Sequence, residues 1–290
     1  MKKFLKAMLA IFFVYALASA AAGFWATSQF KPSLPFNMAA LGFNVEDVEI
    51  KTSDGVTLRG WYSEGPQGAP AIVLLHGFHA TRTDCLTLAR ALTLPGYTLL
   101  LLDMRASGKS DGHVQTLGVK EKFDVEAALH YMKNVKQHSP RHTGIVAYGT
   151  SASAAIFAYN SVNQLGAAVL LAPYSGLDAA INARLGSYVG PNGPWMGAIV
   201  KEVVSLRVGK RVISIKPEQD IAKLAPCPVL LVGAGNDTKT PPADVQNLYD
   251  KAADPKEIYI VPGVSRDRLT DLNGSDLRKR IIDFFDDHLK

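Results

Sequence analysis

The chain has 290 residues, 48% of them hydrophobic, which suffices for one large core or for one core with a small insertion. Its formal net charge is +5, but three lysines lie within the first six residues and leave the remainder nearly balanced. The sequence has no basic run with interleaved aromatic residues, which argues against a nucleic-acid-binding protein. Its two cysteines, Cys85 and Cys227, have no metal-ligand spacing and form no disulfide framework. We therefore expect one globular domain with no nucleic-acid partner, no metal and no cofactor.

The first 28 residues have the pattern of a membrane anchor or of a signal peptide. A basic start is followed by residues 7–26, which carry no charge and would span about 30 Å as a helix. Small residues at 18–20 and 20–22 suit signal-peptide cleavage, whereas the full-length apolar run and Trp25 favour an uncleaved anchor. In both cases the lysines stay inside, so the remainder is predicted to be membrane-anchored or secreted, on the extracytoplasmic side.

After a predicted linker at residues 29–44, the domain at 45–290 alternates apolar runs suited to strands with amphipathic stretches suited to helices. The predicted strands are 45–51, 56–62, 71–75, 97–103, 145–148, 167–171, 229–232 and 257–261. The predicted helices are 82–92, 119–135, 243–252 and 276–289, together with one that follows the strand at 145–148. The alternation breaks at about 176–218, where a small helical cap is expected. Strands that alternate with helices predict a mostly parallel sheet covered on both faces, a three-layer α/β domain.

The turn at residues 149–153 has the composition of a nucleophile elbow. The strand at 145–148 runs through Gly149-Thr150-Ser151-Ala152-Ser153 directly into a helix-forming segment. Small residues suit this turn because a strand that reverses into a helix brings backbone close to backbone. Ser151 would then lie at the apex, although Ser153 stands where the motif G-x-S-x-G has its second glycine. The alternative is an ordinary helix with a serine as its N-cap.

Five motifs in order resemble the α/β-hydrolase superfamily over residues 45–290. The similarity is greatest to the branch of serine aminopeptidase (S33-like) and BEM46-like hydrolases. The motifs are the hairpin Ser53-Asp54-Gly55 with Gly60-Trp61-Tyr62, the loop His76-Gly77-Phe78, the run Asp103-x-Arg105-x-x-Gly108-x-Ser110-x-Gly112, the helix start Thr116-x-Gly118-x-x-Glu121-x-x-Asp124, and the elbow. Ala106 and Ser153 depart from the family, which has glycine at both positions. The resemblance implies an eight-stranded α/β-hydrolase fold and hydrolysis of ester or amide bonds through an acyl-serine.

The resemblance also assigns parts of a catalytic site. Ser151 would be the nucleophile, and the backbone N–H groups of Phe78 and Ala152 would form the oxyanion hole. Asp237, in the turn after the strand at 229–232, would be the acid that orients the base.

The position of the catalytic base holds an arginine. The family pattern P-G-x-x-H is matched by Pro262-Gly263-Val264-Ser265-Arg266, and a guanidinium cannot exchange its proton at neutral pH. No histidine occurs between Asp237 and His288. His79, close to the expected oxyanion loop, is the best substitute base, although it also suits an ordinary loop histidine. We expect Arg266 to form a salt bridge with Asp237.

Two hypotheses about function follow from the missing histidine. Loss of the triad histidine of a serine hydrolase costs about 10⁶-fold in turnover. The chain is therefore either an attenuated serine hydrolase or a non-catalytic relative. The non-catalytic relative would bind a small acyl or peptide ligand, or a protein partner, in the retained pocket.

Overall fold

A computed structural model of the chain describes residues 2–32, 41–190, 193–269 and 276–290. The predicted linker and cap therefore fall partly outside the described residues, at 33–40 and at 191–192. The strands are β1 Glu46–Lys51, β2 Thr57–Ser63, β3 Ala71–Leu75, β4 Thr98–Asp103, β5 Thr143–Tyr148, β6 Ala167–Leu171, β7 Val229–Ala234 and β8 Lys256–Val261. The α-helices are α1 Lys2–Ala26, α2 Leu86–Thr93, α3 Glu121–Asn134, α4 Thr150–Phe157, α5 Tyr159–Val162, α6 Leu177–Val189, α7 Gly193–Val208, α8 Pro242–Lys251 and α9 Asp276–Leu289.

The eight strands form one sheet in the order β1-β2-β4-β3-β5-β6-β7-β8. β2 pairs antiparallel with β1 and with β4, and the other pairings are parallel, for example Val73 opposite Ile145. The strands from β3 to β7 are apolar runs because parallel strands covered by helices bury both of their faces. The predicted three-layer α/β fold is confirmed, and each predicted strand agrees with the observed one to within two residues at either end.

Two hydrophobic layers hold the helices to the sheet. One face of the sheet packs against α3, α4 and α8, with side chains such as Val125 and Leu248. The other face packs against α2 and α9, with side chains such as Leu92 and Phe285. Residues four apart in α9, such as Leu277 and Ile281, lie on one side of the helix, which explains why the amphipathic pattern predicted this helix.

A third hydrophobic cluster lies over the carboxyl end of the sheet. It is built by α6 and α7, which the chain inserts between β6 and β7, and it includes Tyr174, Leu177 and Val204. Ala22, near the end of α1, packs against the same cluster. The cap and the end of the N-terminal helix therefore form one packed unit above the sheet.

Helix α1 has 25 residues and contains an 18-residue window with a mean hydropathy of 2.0, so it could cross a membrane. Its last turn is held against α7, because a Cβ atom at Gly23 would lie 2.9 Å from Cβ of Val203. Beyond the helix, the backbone N–H of Phe30 donates to the carbonyl of Ala106 at 2.7 Å. The end of α1 and the residues just after it therefore contact the domain.

The motif residues around β4 stabilise loops at the carboxyl end of the sheet. The guanidinium of Arg105 donates to the carboxylate of Asp54 at 2.7 and 2.8 Å and to that of Asp124 at 2.9 Å. Arg105 lowers the pKa of Asp54 to about 2, so this pair is charged at neutral pH. Ala106 has φ = 57°, which explains why the resembling family has glycine at this position.

Candidate active site

The residue at the apex of the strand-to-helix turn is Gly149. β5 ends at Tyr148 and α4 begins at Thr150, so a single residue connects them, with φ = 59° and ψ = −113°. Side chains with a Cβ rarely adopt this conformation, and a strained backbone is the signature of the apex of a nucleophile elbow. The sequence prediction placed Ser151 at this apex, but in the structure Ser151 is the second residue of α4.

A side chain at position 149 would point at the place predicted for the catalytic base. A Cβ atom built on Gly149 would lie 2.4 Å from Nη2 of Arg266. In a nucleophile elbow the apex side chain faces the base in this way. Residue 149 thus lies at the apex of the turn and lacks a side chain, while the guanidinium of Arg266 fills the adjoining space.

Ser151 instead joins α4 to the loop after β3. Its side chain is 2% exposed, and its hydroxyl donates to the carbonyl of His76 at 2.5 Å. The His76 ring is fixed in turn, since Nδ1 bonds the carbonyl of Gly77 and Nε2 accepts the N–H of Met104, both at 2.9 Å. Ser151 therefore has a structural contact and does not line the cavity described below.

Of the two residues predicted to form the oxyanion hole, only one lines the cavity. Phe78 lines the cavity, whereas Ala152 is fully buried inside the first turn of α4. Thr150, the residue after the apex, lines the cavity, whereas Ala152, whose N–H was predicted to contribute to the oxyanion hole, does not.

Asp237 and Arg266 form the predicted ion pair. Oδ2 of Asp237 lies 3.3 Å from Nη1 of Arg266, and Oδ1 accepts the N–H groups of Lys239 and Thr240, both at 2.8 Å. Nη1 of Arg266 also donates to Oγ1 of Thr240 at 2.6 Å and to the carbonyl of Ala172 at 3.3 Å. Both side chains are buried, and the guanidinium has no lone pair that could accept a proton from a nucleophile.

His79, the predicted substitute base, lies in an aromatic cluster. Its ring centroid is 4.4 Å from that of Trp25, 5.4 Å from that of Phe30 and 4.1 Å from that of Phe78. Its Nε2 atom is buried without a hydrogen-bond partner among the described residues, and burial lowers the pKa of the ring, with Arg184 lowering it further. The neutral imidazole thus packs as an aromatic ring and does not line the cavity.

A cavity of about 130 Å³ lies between the elbow, the cap and the end of α1. Its wall includes Trp25, Leu177 and Val204, and three cationic side chains also line it, Arg184, Lys239 and Arg266. Sequence reasoning identified Arg266 alone among these cations. The signal for Arg184 was its spacing, since it follows Leu177 and Ile181 at positions of one helical face that is otherwise apolar.

A protein-family model described as the alpha/beta hydrolase fold matches residues 70–173, from β3 to just past β6. The solved structure of the esterase Pf2001 of Pyrococcus furiosus is similar over 91% of this chain and 99% of its own, with a TM-score of 0.74 and 25% identity.

Two curated proteins are also similar in sequence. The uncharacterised protein Rv2307c of Mycobacterium tuberculosis is 28% identical over 221 residues, which are 75% of this chain and 71% of that protein. The polyketide transferase af380 of Aspergillus fumigatus is 26% identical over 291 residues, covering 85% of this chain and 99% of that protein. These similarities agree with the order of the strands and with the elbow between β5 and α4. The chain is therefore an α/β-hydrolase-fold protein with esterase-like structural neighbours.

Proposed function

We propose that the chain is a non-catalytic member of the α/β-hydrolase superfamily, whose cavity binds a small ligand without cleaving it. The observation that carries the proposal is the glycine at the apex of the elbow, with the guanidinium of Arg266 beside it. Acyl transfer on this fold needs a nucleophile and a proton acceptor that meet at one point. Position 149 supplies no nucleophile and position 266 no acceptor.

The competing hypothesis is the attenuated serine hydrolase, with Ser151 as nucleophile and His79 as base. It is weakened by two contacts, because the Ser151 hydroxyl donates to the His76 carbonyl and the His79 ring is enclosed by three aromatic rings. Without a triad, an oxyanion hole and substrate binding leave at most about 10³–10⁴-fold acceleration over water. The similarity to the serine aminopeptidase and BEM46-like branch stays a prediction based on the motifs around Asp103 and Glu121.

The proposal includes a tether to a membrane. Helix α1 has the length and hydropathy of a membrane span, and most of its side chains are exposed. Lys2, Lys3 and Lys6 precede the apolar run and would stay on the cytoplasmic side, so the domain would lie on the opposite side. Gly23 and Trp25 support an uncleaved helix, since both contact the domain.

A fluorophosphonate probe and p-nitrophenyl acetate test the proposal on the full chain and on the Ser151→Ala variant. We expect no labelling of the full chain, hydrolysis at the background rate, and no change on substitution. An active serine hydrolase of the same fold serves as the positive control. Labelling at Ser151, or hydrolysis that Ser151→Ala removes, would overturn the proposal in favour of the attenuated hydrolase.

A further inference from the structure

The cavity described above combines an apolar wall with an excess of positive charge at one end. Arg184 of α6, Arg266 and Lys239, which lies in the loop after β7, all line the cavity, and burial and the charge of Arg266 both lower the pKa of Arg184. The Arg184 guanidinium carbon lies 4.8 Å from the centre of the Phe78 ring. The three cations thus line the same cavity as apolar side chains of α1, α6 and α7.

Two of these cations have carboxylate partners, and the third, Arg184, has none among the described residues. Arg266 pairs with Asp237 at 3.3 Å, and Lys239 pairs with the exposed Asp267 at 3.5 Å. No carboxylate of the described residues lies within 4.0 Å of the Arg184 guanidinium, and its Nε is buried without a hydrogen-bond partner there. A buried N–H of a charged group without a hydrogen-bond partner costs free energy. A bound anion that accepts a hydrogen bond from this N–H would remove that cost.

We propose, on the basis of the binding function above, that the cavity takes a small monocarboxylic acid whose carboxylate lies against Arg184 and Arg266. The planar guanidinium matches a carboxylate with two parallel N–H donors, and one negative charge balances the one unpaired cation. The apolar part of the ligand then lies along Trp25, Leu177 and Val204.

The size of the cavity restricts the apolar part of the ligand. A volume of about 130 Å³ is close to that of the engineered apolar cavity, about 150 Å³, that accepts one benzene molecule. A short alkyl chain or a single ring therefore fits, and hexanoate is a suitable probe.

Titration calorimetry on the full chain in a neutral detergent tests the assignment with three probes of equal length, namely hexanoate, hexanol and hexylamine. We expect saturable binding of hexanoate, at least about tenfold weaker binding of hexanol and none of hexylamine. Arg184→Gln should weaken hexanoate binding about tenfold or more, and Arg184→Lys less, because it keeps the charge but loses the planar pair of donors. Lys210→Gln removes an exposed cation near the end of the cap and should leave the affinity unchanged.

Equal affinity for hexanoate and hexanol would overturn the proposal, as would an unchanged affinity in a folded Arg184→Gln variant. Tighter binding of hexylphosphonate than of hexanoate would overturn the choice of a carboxylate. These outcomes leave the non-catalytic function standing, since that function fails only if hydrolysis or labelling at Ser151 is observed.

Discussion

Gly149 and Arg266 occupy adjoining volumes at the elbow, so the two positions are coupled. A serine at 149 alone must fit a Cβ atom 2.4 Å from the guanidinium at a positive φ. We expect Gly149→Ser to destabilise the fold by about 2 kcal/mol or more, through overpacking and backbone strain. Exchanging the arginine for a smaller imidazole removes that close contact, and a double-mutant cycle measures the coupling.

The double variant Gly149→Ser/Arg266→His should gain esterase activity. Its hydroxyl, imidazole and Asp237 carboxylate would stand in the order that acyl transfer requires, and general base catalysis contributes at least about 10²-fold. Neither single variant should exceed background in p-nitrophenyl acetate hydrolysis, and Ser151→Ala should not reduce the gain of the double variant. If Arg266→His alone raises turnover and Ser151→Ala removes that gain, then Ser151 is the nucleophile after all.

His76 and His79 make the stability of the fold depend on pH. Burial lowers the pKa of both rings from the ordinary value of 6.5, so the unfolded chain binds more protons than the folded one as the pH falls through that value. Their contribution to stability is complete above about pH 6.5 and is lost progressively toward the lower pKa values of the folded state. Protonation of His76 would also place a proton on Nε2, which could then no longer accept the hydrogen bond from the N–H of Met104.

We therefore expect a smaller free energy of unfolding in urea at about pH 5.5 than at about pH 7.5. His79→Phe keeps an aromatic ring in the cluster and should weaken this dependence, whereas substitution of the exposed His142 by Phe should not. A free energy of unfolding that rises on acidification would contradict the neutral state of both buried rings.

At the scale of elements, the packing of α1 against α7 depends on the absence of a side chain at position 23. A Cβ atom there would lie 2.9 Å from Cβ of Val203 and 3.0 Å from the carbonyl oxygen of Val200. Gly23→Ala should therefore destabilise this contact by about 1–3 kcal/mol. The readouts are the melting temperature and the fluorescence of Trp25, which lies two residues further along the helix.

Gly186→Ala is the matched control for this variant. Gly186 lies in α6 of the same cap, and a Cβ atom there would contact nothing within 4 Å. The substitution should be neutral or should stabilise the helix by about 0.5–1 kcal/mol, since alanine is the better helix former. Equal losses in both variants would mean that the loss at position 23 does not come from the contact between α1 and α7.

The elements were predictable where a local pattern decides them. The runs that form β3 and β6 are short and continuously apolar, and a proline or a glycine precedes each of them, so their observed bounds are the predicted ones. The apex of the elbow was not predictable from the sequence alone. The predicted motif is centred on Ser151, but the backbone turns where β5 ends. The pairing of Tyr148 with Leu171 places the apex two residues earlier, at Gly149. Arg184 was missed because no motif marks the cap. Its place in the cavity wall depends on how α6 packs above the elbow, which the sequence does not specify.

At the scale of the whole molecule, the N-terminal helix is continuous with the folded domain. The N–H of Phe30 donates to Ala106, the N–H of Gly108 donates to Phe30, and the N–H of Gln115 donates to Thr27, so the segment after the helix is held at several points. We expect the mature protein to keep its N-terminus and to stay in the membrane fraction after alkaline carbonate washing. Intact-mass measurement checks the first expectation, and a mature chain that begins near residue 21 or 23 would contradict it.

Trp25 is part of both the N-terminal helix and the cavity, because it lies in the last turn of α1 and in the cavity wall. If a bound ligand stabilises the position of Trp25 in the cavity wall, displacement of α1 must weaken the binding of that ligand by the same free energy. Reciprocity of this kind needs no moving lid and no second site, since a shared side chain suffices. If α1 spans a membrane as proposed, a change in bilayer thickness that tilts the helix would change the affinity of the cavity for its ligand.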